Sequence, residues 1–534
     1  MSRSLVAVLA LALASAACSH GGGQKTGPAA GAPGAGGAGG APSSTGGGPV
    51  VSGGDGGSSG TGNGGGGGAP SSSPSSDAAP QPGGEGTGDA APPPVTGGGN
   101  GDVLPACKRE VHVPNNAALP PAIMGAMPGD CIILADGNYG PVPVITKTAS
   151  ADLPIVIRAE HRLMAVVNMG SIQLTGSSFV IIEGLSFKSA GQFLFTDSDN
   201  CRLTRAKVQP PGGGEWVEIV GKSHHIRVDH SDFGPRNAVG NIIQIGGLGM
   251  PGQVCQYTRI DHNLFHDVVY GGGNGYETIR AGYSYLAPTK SFTIMEYNIF
   301  RNASGDPETV SIKSSDNIFR YNVITNCNGQ LCLRHGNRNQ IYGNYITGSM
   351  GIRVCGADHQ IYNNYIEPKG GYGIFLEGGD GDGTDTPGKQ HYRVYRPKVV
   401  NNTLVGGGIE VGGSHPLTVV DAVIANNLVQ GAGITEPGGM GTRYEGNIVS
   451  GGNLGKGPTE IKVANPMLVM MGGLWRLAPG SPAVDAAIGT YDFVMDDIDG
   501  QPRDKTDVGA DEVSMAPMLR NGPITEKDVG PDAP

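Results

Sequence analysis

Asparagine followed by two apolar or β-branched residues recurs down this chain, as Asn263-Leu264-Phe265, Asn298-Ile299-Phe300, Asn322-Val323-Ile324, Asn344-Tyr345-Ile346, Asn364-Tyr365-Ile366, Asn402-Thr403-Leu404, Asn427-Leu428-Val429 and Asn447-Ile448-Val449. Steps of 24 residues from 298 to 322, 22 from 322 to 344, and 20 from 344 to 364 and from 427 to 447 define a short repeat. Each repeat holds strands of about three to five residues between Gly, Asn and Asp turns, too little to enclose a core alone. Stacked as coils, such units bury a continuous apolar interior. An asparagine at the same bend of every coil can then hydrogen-bond its equivalents above and below. Phe179 to Phe187 and His225 to Phe233 carry the pattern into earlier coils. The predicted fold is all-β: a single-stranded right-handed parallel β-helix, or solenoid. Gaps of 35 residues from 263 to 298 and 38 from 364 to 402 mark loops inserted near Gly271 to Pro288 and Gly378 to Gln390. Loops on a rigid scaffold are where binding surfaces are built.

A solenoid needs closed ends, because an open terminal coil exposes strand edges and core. Asn115 to Met127, ahead of Pro128-Gly129-Asp130, reads as a short N-terminal capping helix before the strand Cys131-Ile132-Ile133-Leu134. At the other end, Leu477 to Asp485 and Asp507 to Glu512 read as an irregular closing segment. Residues 516–534 form a C-terminal tail with little apolar pattern, expected to be disordered. The β-helix domain is thus assigned to residues 103–515.

Residues 1–18 read as an export signal, with Arg3, an apolar run from Leu5 to Leu13, and small residues Ala14 to Ala17 before Cys18. That run is too short to span a bilayer. Cysteine at this point resembles a bacterial lipoprotein box, with Ser15 as the departure, and points to an outer-membrane or cell-surface lipoprotein; plain secretion is the alternative. Residues 19–102 are nearly all Gly, Ser, Pro, Ala and Thr and read as a disordered linker, reaching on the order of 50 Å. The expected contact with a membrane is through the N-terminal lipid alone, and the body is expected to be a monomer. A net charge of −11 gives no reason to expect nucleic acid, so any polyanion must be held by a local basic site. Beyond Cys18 there are seven cysteines: Cys107, Cys131, Cys201, Cys255, Cys327, Cys332 and Cys355. Cys107 with Cys131 is a candidate bridge, although the sequence does not fix connectivity. The others read as small buried residues.

The chemistry concentrates in Glu308 to Ser314 and Leu331 to Asn337, where Lys313 and Arg334 stand 21 residues apart, in successive repeats. Asn274, Asp306 and Glu308 supply hard oxygen ligands of the kind calcium takes. Asp306 and Glu308 are two apart, so along a strand they share a face and repel unless a cation sits between them. A solvated acidic strand end is the plainer reading of the pair, as ordinary surface charge is of Lys313 and Arg334. Their convergence on one face is what points to a site.

The run Asn274 to Gly282, then Glu308 to Ser314, Asn317, Arg320, Asn322 and Leu333-Arg334-His335-Gly336-Asn337 resembles the signature of polysaccharide lyase family six, the alginate lyase and chondroitinase B family. Pro128-Gly129-Asp130, Gly351-Ile352-Arg353-Val354 and Asn363-Asn364-Tyr365 extend it over roughly Val111 to Glu367. The resemblance implies β-elimination on a uronic-acid polysaccharide, an anionic substrate. It makes Lys313 the base, Arg334 the residue assisting the leaving oxygen, and Asn274, Asp306 and Glu308 the holders of Ca2+ against the uronate carboxylate. His335, Arg353 and Arg280 match positions lining the groove. Many members carry glutamate at the position of Asp306, and Pro307 stiffens this arm further. Lysine is a poor base at neutral pH until neighbouring positive charge favours its neutral form. Alginate is the expected polymer, with dermatan sulfate the alternative. Two other classes compete: a glycoside hydrolase, in which Lys313 and Arg334 have no role, and a non-catalytic surface carbohydrate-binding solenoid.

Overall fold

A computed structural model describes residues 104–534, apart from 189–190, 250–251, 270, 272–273 and 382–390. The expected signal, Cys18 and linker lie outside the described residues, as does much of the Gly378 to Gln390 insertion.

The short strands stack into three long sheets of 14, 14 and 11 strands, the faces of one parallel β-helix. Each strand pairs in parallel with its equivalent one coil away, so that Ile299, Val323, Tyr345, Tyr365 and Thr403 form one file across five coils. One apolar core runs through the interior, from Val113 to Ile461. Alternation along each strand sorts the side chains: Val310 and Ile312 join the core, as do Leu331 and Leu333, so Ser311, Lys313, Cys332 and Arg334 face away from it.

The repeated asparagines form the ladder that the spacing predicts. Asn263, Asn298, Asn322, Asn344, Asn364, Asn402, Asn427 and Asn447 are all fully buried. The Nδ2 of each donates to the Oδ1 of the next, at 2.9 to 3.2 Å along the whole file. The residue before each sits at a φ of about +50° to +66°, the left-handed turn that swings the chain from one sheet to the next. The same Nδ2 groups also satisfy carbonyls at the bend, as Asn344 does for Phe319 and Tyr342 at 3.0 Å.

At the N-terminal end, the helix is shorter than the sequence implies. A 3-10 turn at Asn116–Ala118, capped by the Asn115 side chain, leads into an α-helix at Leu119–Met124. Leu119 and Ile123 plug the core, and Cys107 is bridged to Cys131. Two expectations at the C-terminal end are corrected. The segment expected to close the solenoid lies along its flank instead: Gly509 N–H donates to the Asn426 carbonyl, Ala510 N–H to Thr403 Oγ1, and Asn401 Nδ2 to the Asp507 carbonyl. The tail is ordered rather than disordered. It runs back down the coils, with Arg520 over the Tyr321 ring, Glu526 paired to Arg301, Gly530 N–H on the His262 carbonyl, and Arg205 holding the Pro531 and Ala533 carbonyls. Backbone carbonyls and surface charges hold it, so an apolar pattern was not needed.

Replacing Asn344 by leucine removes five hydrogen bonds at one bend and strands buried partners on both sides. Urea unfolding should show a loss of about 3 kcal/mol or more. A loss below about 1 kcal/mol would show that the ladder does not hold the bend.

Candidate active site

The 11-stranded sheet carries charged groups singled out above on four consecutive strands: Ile279–Ala281, Glu308–Lys313, Gln330–His335 and Ile352–Val354. Register places Arg280 beside Ser311, Ser311 beside Cys332, and Cys332 beside Arg353. At about 4.8 Å per strand, the two arginines bracket a stretch of roughly 14 Å. Lys313 and Arg334 sit on neighbouring strands inside it. A register shift after Ile312 pairs Lys313 with His335, leaving Arg334 as the extra residue of a bulge. Such shifts re-aim side chains, and this one brings lysine, arginine and histidine to one place.

Lys313 Nζ lies 3.5 Å from Glu277 Oε1, and Asn241 Nδ2 donates to the other Glu277 oxygen at 2.8 Å. Burial pushes the Glu277 carboxyl up, but Lys313 and Arg280 together pull it below its ordinary range, so it is a fixed anion that orients the amine. Glu308 faces two guanidinium groups, Arg334 Nε at 3.6 Å and Arg353 Nη1 at 3.4 Å, and accepts from Ser311 Oγ. Arg353 also meets Glu377 at 2.8 Å and donates to His391 Nε2 at 2.7 Å. Arg280 donates to Gln244 Oε1 and stands over the Tyr283 ring.

Asp306 is nearly buried. It accepts from the backbone N–H groups of Gly275, Tyr276 and Glu308 at 3.0 to 3.3 Å, which docks the segment carrying exposed Asn274 against it. Its carboxyl is pushed up, first by burial and then by Glu277, with Glu308 adding to the repulsion. Glu277 and Glu308 thus have cationic partners, whereas Asp306 has backbone amides alone; the hard oxygens of Asp306, Glu308 and Asn274 are of the kind calcium takes.

His335 is the most unusual group. Its side chain is buried, and neither ring nitrogen has a hydrogen-bond partner; Arg334 Nη1 is likewise buried without one. Native interiors satisfy nearly all such atoms, so three orphans together single out this spot on the sheet. Burial, reinforced by Arg334 and Lys313, pushes the His335 imidazole down to about 3, so it is neutral at physiological pH. The Tyr392 ring packs 4.9 Å away.

All eight site residues expected from sequence lie on or beside this sheet. Sequence reasoning missed Glu277, Asn241, Glu377, His391 and His415. Only Glu277 left a trace, in the Asn274 to Gly282 run. Imidazole proton NMR should show His335 neutral from pH 8 down to 5. Because the unfolded imidazole takes a proton near 6.5 and the folded one near 3, the stability tied to its neutral form is complete above about 6.5 and declines as pH falls through that window. A midpoint for His335 above pH 6 would contradict its burial.

A family model described as Chondroitinase B matches residues 113–406, more than half of the chain. Among solved structures, the PL6 family alginate lyase AlyGC superposes with a TM-score of 0.62 at 26% identity, covering 69% of this chain and 55% of that one. The chain therefore spans little more than half the length of AlyGC. A mannuronic acid specific family 6 lyase from human gut microbiota gives 0.57 at 24% identity, covering 65% and 87%. A PL6 family polysaccharide lyase from Pseudopedobacter saltans gives 0.56 at 21% identity, covering 79% and 99%, a likeness of fold. No curated protein matches the chain.

Proposed function

The chain belongs to the chondroitinase B family, which contains the PL6 polysaccharide lyases, and from that premise we propose that it cleaves a uronic-acid polysaccharide by β-elimination. The observation that carries this reading is the orphaned polar set, Arg334 Nη1 and both His335 nitrogens, beside the amine of Lys313 on the adjoining strand. A uronate seated there has its C5 hydrogen facing Lys313, which takes the proton. The C5–H electron pair becomes the C4–C5 double bond, and the C4–O4 bond breaks with its pair on oxygen. Arg334 faces that oxygen and stabilises the charge it gathers. Neutral His335 can donate one hydrogen bond to the sugar and accept another. Arg280 and Arg353 hold the polymer's carboxylates at the two ends of the stretch. Glu277 keeps the lysine aimed. Asn274, Asp306 and Glu308 would hold calcium, which when bound neutralises the uronate carboxylate and acidifies the C5 hydrogen.

Alginate is the proposed substrate, supported by the likeness to the alginate lyase AlyGC; dermatan sulfate, the substrate class that the family's name implies, is the second reading. A hydrolase would need one of the two carboxyls free as an acid, whereas Glu308 faces two guanidinium groups and Asp306 is tied to three backbone amides. We also propose that the chain is exported and tethered through Cys18.

Incubation with alginate should raise the ultraviolet absorbance of unsaturated uronate ends. Lys313→Ala should lower that rate by at least about 10²-fold, as expected for loss of a general base. Reducing sugar without the absorbance would mean hydrolysis, and neither signal with retained polymer would mean a binding solenoid. Chelation followed by calcium addition should lower and then restore the rate. Activity confined to dermatan sulfate would transfer the substrate to the second reading.

A further inference from the structure

Beyond Arg353 lies a second cluster, in which one donor atom each from Glu377, His391 and His415 lies within 4.8 Å of the other two. The three come from separate segments: Glu377 follows strand Tyr372–Leu376, His391 precedes Tyr392, and His415 lies in the loop after strand Gly408–Val411. Orientation is the telling feature. His415 Nε2 faces Glu377 Oε1 at 3.4 Å, and His391 Nε2 faces the Arg353 guanidinium, which itself meets Glu377. The opposite nitrogens of both rings turn to a single carboxylate, Asp380, at 3.4 Å from His391 Nδ1 and 3.9 Å from His415 Nδ1. His415 Nε2 thus turns to Glu377, and His391 Nε2 to the guanidinium that Glu377 holds, while both Nδ1 atoms turn toward Asp380; a carboxylate behind the imidazoles is how proteins present histidine to a metal.

The support is built as well as aimed. Cys355 Sγ–H donates to Glu377 Oε2 at 2.8 Å, which leaves Oε1 to point inward. Backbone bonds tie the segments together, Asp380 N–H to the His391 carbonyl at 3.0 Å and Leu417 N–H to the Gly379 carbonyl at 3.0 Å. The imidazoles remain 18% and 20% exposed, enough for an ion to enter, while Glu377 is 6% exposed. Neutral imidazole is the form that ligates, and burial, with the charge of Arg334 next, pushes the His391 imidazole below its ordinary value.

We propose that Glu377, His391 and His415 form a site for a borderline divalent ion of the zinc class, oriented by Asp380 and separate from the hard-oxygen set of Asn274, Asp306 and Glu308. Two nitrogens and a carboxylate suit zinc, whereas calcium takes oxygen. Arg353 is the cation that the cluster holds in the structure. An ion entering it takes Glu377 and His391 from Arg353 and leaves the guanidinium its partner Glu308. Filling the site therefore shifts one of the two arginines that bracket the groove.

The test is zinc titration of the whole protein against a chromophoric chelator, with calcium at millimolar excess so that the hard-oxygen set does not report. Cobalt(II) replaces zinc in a parallel titration read by its visible d–d absorption. One equivalent of zinc should bind, cobalt should give the bands of a low-coordinate nitrogen and oxygen site, and His415→Ala should weaken binding by about 100-fold or more, Asp380→Asn by 10- to 100-fold. Absence of binding by the folded wild type, or binding untouched by both variants, overturns the proposal. Should His415→Ala fail to fold, Asp380→Asn at its more exposed position decides alone. Neither readout involves lyase activity, so the two readings can fail independently.

Discussion

Side-chain amides that bond to their own copies one coil away set the register of the coils from Asn263 to Asn447. An asparagine file satisfies donors and acceptors only if every coil presents the same residue at the same bend, at the same height. A slip of one residue in any strand would turn its core face outward and break the file at that coil. Because the file is buried, the cost of a break is desolvation without compensation. The ladder thus ties the strands that carry Arg280, Lys313, Arg334 and Arg353 to the bends of their own coils.

That fixed register is what allows a few scattered charges to act together. Arg280, the Lys313 and Arg334 pair, and Arg353 occur over more than seventy residues of sequence, yet the sheet folds them into a short cationic stretch on an otherwise acidic protein. The bulge at Ile312 to Lys313 breaks the regularity of the sheet where lysine, arginine and histidine meet. Regular coils supply rigidity, and one irregular step supplies the geometry. The unsatisfied nitrogens of His335 and Arg334 are tolerable for the same reason: the surrounding coils hold them in place without partners.

Much of this was legible in the sequence because a repeat writes its geometry as spacing. Eight asparagines, the core alternation and the adjacency of the Lys313 and Arg334 strands follow from counting. The bulge does not, since the extra residue in Leu333-Arg334-His335 looks like any other strand residue until its partner strand is in place. Glu277 stands 36 positions before Lys313, across an inserted loop whose path no period describes, while Glu377 lies one regular coil beyond Arg353 but just past its strand, where nothing marks it as a partner. The tail was misjudged because its hold on the coils comes from carbonyls and ion pairs, which leave no apolar pattern. His391 and His415 were invisible for a similar reason, lying in loops rather than strands.

The central claim is that neighbouring strands seat one uronate between Lys313 and Arg334. A crystal structure of the Lys313→Ala variant soaked with a uronate oligosaccharide tests it most directly. The account predicts one sugar with its C5 hydrogen facing the truncated side chain, its linking oxygen toward Arg334, and a hydroxyl or carboxylate on His335. An ordered oligosaccharide on another face of the solenoid, with the Arg334 and His335 nitrogens still unpartnered, would contradict it.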